Sequence, residues 1–457
     1  MKKNMSKFLV ITLAISANAF ASSSYSSINN STISLNNTKG DSGFSGDAEF
    51  SSNQLSSNVG EVTGNQYYGD LGLRYNVDES EDTLKKHIGF RARANNASAL
   101  MYSVPEAYMK STFENSDLTF GRVILPWSKA DANWGFGKLN NRVNFDGFNP
   151  GQEGLTGVRY VYRVNKYFKV EAFGSYTYIP ELNPGQKIDE ENGTVSCNNP
   201  WCDSPDESTE ISGTQVPIFY NVNMPEISEV LFKPSFGLRF KAGSEKVNVS
   251  GFFTRKPENS ISLSVEVAYE NDNQRVFADI TPEVYYHNVF GGDLNYKINK
   301  NLSLYGTAIA IRPDRNPDTN GQVFEYLGIR PNKIDEEYAG GGVQFNDGRL
   351  VTSLNYIARL SDFEKVDDPL IQYPRWNQAV HFNIGSKLTR KIGLALDYKY
   401  DMLTEDRLTM FNASYLLTPS IITSLGFEMI GTAKSADSYW AKFANNDRLY
   451  GSLKYTF

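Results

Sequence analysis

The strongest constraint on this chain is a period of two. In the final stretch Leu449, Gly451, Leu453, Tyr455 and Phe457 fall on one face, and Arg448, Tyr450, Ser452, Lys454 and Thr456 on the other. Successive side chains of a strand point to opposite sides, so this alternation makes a strand with one apolar face. The pattern recurs. Ile392, Leu394, Leu396, Tyr398 and Tyr400 oppose Lys391, Asp397, Lys399 and Asp401. Val158, Tyr160, Tyr162 and Val164 oppose Arg159 and Arg163, and Leu294, Tyr296 and Ile298 oppose Asp293, Asn295 and Lys297. Leu71, Leu73, Tyr75 and Val77 oppose Arg74, and Phe236, Leu238 and Phe240 oppose Arg239 and Lys241. Ile261, Leu263, Val265, Val267 and Tyr269 oppose Ser262, Ser264, Glu266 and Glu270.

Two size classes of connection separate these segments. The short ones include Asn165-Lys166, Asn299-Lys300-Asn301, Asn346-Asp347-Gly348, Thr389-Arg390-Lys391 and Thr418-Pro419. The long ones include 124–154, 179–231, 312–335, 361–375 and 432–446. Short turns at one end and long loops at the other describe an all-β, antiparallel up-and-down transmembrane barrel of about 18 strands, with 16 to 20 allowed by less regular segments at 43–51 and 274–281.

A soluble sandwich or propeller would also alternate, with its apolar face on a core. Three features favour the membrane barrel. Lys2, Lys3 and Lys7 precede an apolar run, Phe8 to Ser16, and Ala19-Phe20-Ala21 supplies small residues for cleavage, so residues 1–21 read as a signal peptide. Aromatic residues stand near strand ends, as at Tyr398, Tyr400, Tyr455 and Phe457. The sequence stops on Phe457, inside a strand. Residues 22–42, rich in Ser and Asn, read as a flexible lead-in, and 43–457 as the barrel with long extracellular loops.

The ending L-Y-G-S-L-K-Y-T-F resembles the C-terminal signature of Gram-negative outer-membrane barrels. In those proteins a final aromatic residue with apolar residues at alternate positions is read by the barrel-assembly machinery. Phe457, Tyr455, Leu453 and Leu449 fill these positions. The long meander is similar to porins and to the larger alginate-export and carbohydrate-porin barrels. The resemblance implies an outer-membrane location. The implied partners are outer-membrane lipid and lipopolysaccharide, the assembly machinery and small hydrophilic solutes, and both a homotrimer and a monomer are compatible with it.

Composition removes other classes. The chain has 457 residues and a formal charge of −7, which becomes −10 once the three leader lysines are gone, and this argues against nucleic acid as a partner. Three histidines, His87, His287 and His381, are scattered, and none stands beside a nucleophile, so no catalytic residues, metal or cofactor are expected. Gly340-Gly341-Gly342 lacks the lysine of a phosphate loop and reads as relief of crowding in a strand. Export to an oxidising compartment predicts a disulfide between Cys197 and Cys202.

If the apolar faces meet lipid, the other faces line a lumen. That wall reads as basic, with Arg91, Arg93, Arg159, Arg163, Arg239 and Lys241 among its members and Glu171, Glu266, Glu270, Asp293, Asp397 and Glu428 as its acids. Such a wall favours anions or hydroxyl-rich solutes, unless its charges merely pair across strands. Acidic residues concentrate instead in 179–231. Segment 121–157 is unusually rich in Gly, Asn, Trp and Phe. It is long enough to fold inward as a constriction carrying Arg122, Lys129, Asp131, Arg142 and Asp146. Trp127, Trp134 and Phe136 would then offer flat faces to a sugar ring. An outward loop anchored at the membrane interface is the alternative. The expected function is passive diffusion of small hydrophilic solutes. A selective saccharide transporter is a second reading, and a surface receptor or adhesin, suggested by the acidic loop, a third. An energy-coupled receptor is not expected, because too little chain precedes the first strand for a plug.

Overall fold

The structure is a computed structural model. It describes residues 43–55, 65–78, 84–96, 99–181, 186–202, 205–270, 272, 274–314, 324–325, 328–329, 331, 333–361, 373–433 and 438–457. The signal peptide and lead-in expected at 1–42 lie outside the described residues.

The chain closes into an antiparallel barrel. The main sheet holds 19 segments, but Leu100–Ser103 and Ala107–Thr112 pair with the same strand and form one interrupted strand, which leaves 18. In order the strands are β1 (Gly43–Leu55), β2 (Asn65–Asp78), β3 (Leu84–Asn95), β4 (Leu100–Ser103 with Ala107–Thr112), β5 (Ser116–Val123) and β6 (Leu155–Arg163). Then come β7 (Phe168–Ser175), β8 (Ser235–Gly243), β9 (Val247–Pro257), β10 (Tyr286–Lys297), β11 (Leu302–Pro313) and β12 (Glu336–Asn346). The last are β13 (Leu350–Arg359), β14 (Gln378–Lys387), β15 (Ile392–Asp401), β16 (Arg407–Thr418), β17 (Ile421–Gly431) and β18 (Arg448–Thr456). Each pairs with its sequence neighbour, and β1 pairs with β18 from Asp47↔Thr456 to Leu55↔Arg448. Gly46 and Phe457 exchange both backbone hydrogen bonds at 2.8 and 3.0 Å, so the terminal aromatic residue seals the seam.

The pleat sorts the side chains as the alternation requires. Phe50, Phe120, Tyr160, Phe240, Leu294, Tyr356 and Leu425 are exposed on the outside, while Asp47, Glu171, Asp293, Asp397 and Glu428 are buried inside. An outward apolar surface over a polar interior is the arrangement of a membrane barrel. No helix among the described residues is long and apolar enough to cross a membrane; strands make the crossing.

The short turns share one device. Asn165 Oδ1 accepts the amides of Tyr167 and Phe168 at 2.8 and 2.9 Å, and Asn299 Oδ1 those of Asn301 and Leu302 at the same distances. Asp347 Oδ1 accepts from Arg349 and Leu350 at 2.9 and 2.7 Å. A side-chain oxygen thus replaces the missing ladder partner at each reversal.

One sequence expectation needs correction. Residues 261–270 and 274–281 alternate like barrel strands but do not enter the wall. Ser262–Glu270 and Arg275–Glu283 form a hairpin in the connection between β9 and β10. Thr214–Val222, from the β7–β8 connection, runs parallel to the second arm, as in Phe219↔Phe277. They belong to a separate six-stranded sheet at the long-loop end. Glu266 and Glu270, read as lumen acids, are therefore on this loop sheet. Alternation records that one face is apolar, not where the strand lies: Leu263 and Tyr269 are exposed while Ser262 and Ser264 are buried, the same sorting as on a wall strand.

Candidate functional site

The wall charges mostly pair with neighbours. Arg91 and Arg93 both donate to Asp70, at 2.7 and 2.8 Å. Arg159 donates to Glu171 at 2.7 Å, and Lys169 and Arg239 stand 3.3 and 3.7 Å from the same carboxylate. Arg163 pairs with Asp117, and Lys454 with Asp47 at 3.1 Å. Lys241 lies opposite Lys169 in the β7–β8 register. Asp47, Asp70, Asp117 and Glu336 add acids that the alternation count omitted, so the wall is less basic than the sequence suggested. Adjacent strands bring opposite charges within reach, and pairing follows.

The connection between β5 and β6 enters the barrel. Gly121, still paired within β5 at φ +123°, lies close against β4, where an added Cβ would run into the Ala107 carbonyl. Arg122 then turns inward and pairs with the buried Glu153. Val123, Leu125 and Trp127 follow as buried apolar residues. Asn140 clamps this run, with Oδ1 accepting the Leu125 amide at 2.8 Å and Nδ2 donating to the Leu125 carbonyl at 2.9 Å. Trp127 Nε1 donates to Glu171 of β7 at 3.0 Å.

Helix α1 (Lys129–Trp134) comes next. Ser128 caps it by accepting the Asp131 amide at 3.1 Å. Its other free amides donate to the far wall: Lys129 to Asp293 of β10 at 3.2 Å and Ala130 to Thr307 of β11 at 3.2 Å. First-turn amides need acceptors outside the helix, and here the barrel wall supplies them. Asn133 donates to the Tyr305 hydroxyl at 2.8 Å. Gly135 closes the helix in the left-handed region at φ +67°.

The expected constriction residues thus hold the segment in place. Lys129 Nζ lies over the Tyr305 ring at 4.6 Å. Asp131 accepts the amides of Lys138 and Leu139 at 2.8 and 3.2 Å. Arg142 lies against Gly135 and Gly137, where added Cβ atoms would collide with it. Burial, with Arg375 nearby, pushes its guanidinium down to about 10. Asp146 pairs with Arg448 of β18 at 2.7 Å, and Arg448 also pairs with Glu428 of β17. Burial raises the carboxyls of Glu153 and Glu181 above their ordinary range, against the pull of Arg122 and Arg142 respectively. Trp127 and Trp134 are enclosed at 0% and 2% exposure, so neither presents a face to a solute in this conformation. Phe136 stacks on Tyr338 of β12 at 4.4 Å.

Three further loop tryptophans join them. Trp376 packs on Trp134 at 6.1 Å and on Trp440 at 5.5 Å, while Trp201 meets Phe148 at 4.9 Å and Phe443 at 5.3 Å. Cys197 and Cys202 are bonded, and the small loop they close carries Trp201 onto the inward segment. All five tryptophans of the chain lie in connections, and all belong to one buried cluster inside the barrel. Trp201, Trp376 and Trp440 were not singled out from the sequence; a signal was present, because none of the alternating strands contains tryptophan. Arg375 and Asn140 carried no such mark.

No protein-family profile and no curated protein matches the chain. Among solved structures it is similar to OccK11 (OpdR) of Pseudomonas aeruginosa, at 8% identity and a TM-score of 0.46, over 91% of this chain and 94% of that one. It is also similar to OccAB4 of Acinetobacter baumannii, at 10% identity and a TM-score of 0.42, over 92% and 100%. A triple mutant of the Rhodopseudomonas blastica porin matches at 9% identity and a TM-score of 0.39, over 91% and 99%. Similarities this distant carry neither a family nor an activity over to this chain.

Proposed function

We propose that this chain is an outer-membrane channel through which small hydrophilic solutes diffuse, with the inward β5–β6 segment as its constriction. The observation that carries this reading is the course of that segment. Within one closed barrel it leaves β5, reaches Asp293, Thr307 and Glu336 on the far wall and returns past Glu428 and Arg448. A solute crossing the lumen would have to pass it, so its position sets size and charge preference. The apolar exterior and the Phe457 seam support insertion by the barrel-assembly machinery into lipid and lipopolysaccharide. The six-stranded loop sheet supports a second reading, a surface receptor, because its strands carry Glu210, Glu266, Glu270, Asp279 and Glu283 against Arg275.

Planar-bilayer recording of the full chain tests the first reading. Deleting 129–146 should raise unitary conductance and weaken ion selectivity. Asp131→Ala, which releases the amides of Lys138 and Leu139, should give noisier current at similar mean conductance. A folded deletion variant with unchanged conductance would place the segment outside the conduction path and favour the receptor reading.

A further inference from the structure

Two buried donors, at the end of α1 and on the strand that follows, meet no acceptor among the described residues. One is Nε1 of Trp134, the last residue of α1. The other is Nη1 of Arg142, whose guanidinium lies against Gly135. From another direction Arg375 reaches the same turn, donating to the Gly135 carbonyl at 3.2 Å and to the Gly147 carbonyl at 3.3 Å. Its guanidinium is held over the rings of Tyr439 and Trp440, at 5.1 and 4.9 Å. Lys399 of β15 stands 3.6 Å from Asp397, whose other oxygen bonds His381, and the His381 ring lies 5.8 Å from that of Trp134.

The nearby acids already have partners, Lys399 among them. Asp131 serves the Lys138 and Leu139 amides. Glu181 accepts from Asn144 and Ser260. Asp397 is shared by His381 at 2.7 Å, Asn383 at 3.2 Å and Lys399 at 3.6 Å. Burying a donor without an acceptor is costly, and bringing two guanidinium groups to one turn adds repulsion. An oxyanion relieves both, since guanidinium groups hold carboxylate or phosphate through paired N–H bonds.

We propose that Trp134, Arg142, Arg375 and Lys399 form a binding site for a small oxyanion, a carboxylate or a phosphate group. The site lies where the inward segment meets the 373–376 connection and wall strand β15. It deepens the channel reading, since the anion would be bound where a solute passes. An anion there would also tie α1 to the 373–376 connection, because Trp134 and Arg375 would share it.

The test uses the full chain refolded in lipid vesicles, with tryptophan emission as readout because all five tryptophans lie in this cluster. Sodium phosphate and sodium succinate are titrated separately against sodium chloride at constant ionic strength. A saturable change with either oxyanion, and none with chloride, is expected. Arg142→Gln and Arg375→Gln should each weaken it about tenfold or more, the loss of a charge-assisted contact. Lys399→Gln, on the barrel wall, leaves the inward segment intact and should weaken it severalfold, which keeps the test decisive if the arginine variants misfold. Phosphate alone being active would assign a free inorganic ion, and succinate alone the carboxylate of a permeating solute. No saturable change with either, or wild-type affinity in folded variants, overturns the site. Conductance is recorded in parallel. A protein that conducts without saturable binding loses the site and keeps the channel, whereas binding without conductance does the reverse.

Discussion

The Arg122–Glu153 pair fixes the mouth of the inward segment, and its removal has a calculable consequence. Side-chain exposure is 4% for Arg122 and 1% for Glu153, so both charges have left water. Replacing Arg122 by Met leaves the Glu153 carboxylate buried without its counter-charge. Breaking one side of such a pair costs about 3–5 kcal/mol. Glu153→Leu should cost a similar amount by stranding the guanidinium. The double variant Arg122→Met/Glu153→Leu buries no charge and should recover to near wild type, because a well-packed apolar replacement of a buried pair is often neutral or better. Urea titration of the four proteins in lipid vesicles, followed by tryptophan emission, completes the cycle. The reasoning requires a coupling of several kcal/mol between the two positions. Losses that simply add in the double variant would show that the charges do not depend on each other, and the anchoring role given to this pair would fall.

Other consequences follow from the same arrangement. Leu396→Arg puts a charge at the centre of β15 on the lipid face, between Ile384 and Phe411 of the neighbouring strands, and should cost about 2–4 kcal/mol in the same titration; an unchanged midpoint would mean that this face does not meet lipid. Thiol labelling of the folded, unreduced protein should find no free cysteine, and Cys197→Ser/Cys202→Ser should lose about 2 kcal/mol, the chain-entropy value for so small a loop. Two labelled cysteines would reject the bond. Burial raises the Glu181 carboxyl, so its protonated form favours the fold: this contribution is complete below the ordinary value of 4.5 and is lost as pH rises through the raised one. As pH rises from 4.5, Glu181→Gln should flatten the fall in stability seen in the wild type, and an identical slope would remove Glu181 from that account.

The legibility of this chain differs between wall and interior. Strand β18 could be read residue by residue, because a half-buried strand writes its two environments into consecutive positions. The turn at Asn299 was legible for a similar reason: the side chain that makes it bonds amides two and three residues away. The Ser262–Glu270 strand misled, since its exposed Leu263 and Tyr269 alternate with buried Ser262 and Ser264 just as the residues of a wall strand do. The inward segment was recognisable as unusual, but its charges could not be given their roles. Asp146 finds Arg448 from 302 positions away, and Lys138 finds Glu336 from 198.

The sequence by itself determined the barrel in outline: its all-β class, the facing of its wall strands and the short turns. All of these are local, set by the period of the pleat and by bonds between residues two or three apart. Only the tertiary structure decided what fills the barrel. Closing β1 onto β18 brings distant connections into one enclosed space, where five tryptophans exclude water and the charges of 121–157 must find partners on strands far along the chain. Those partners depend on circumference and depth, and neither is encoded in the spacing of neighbouring residues.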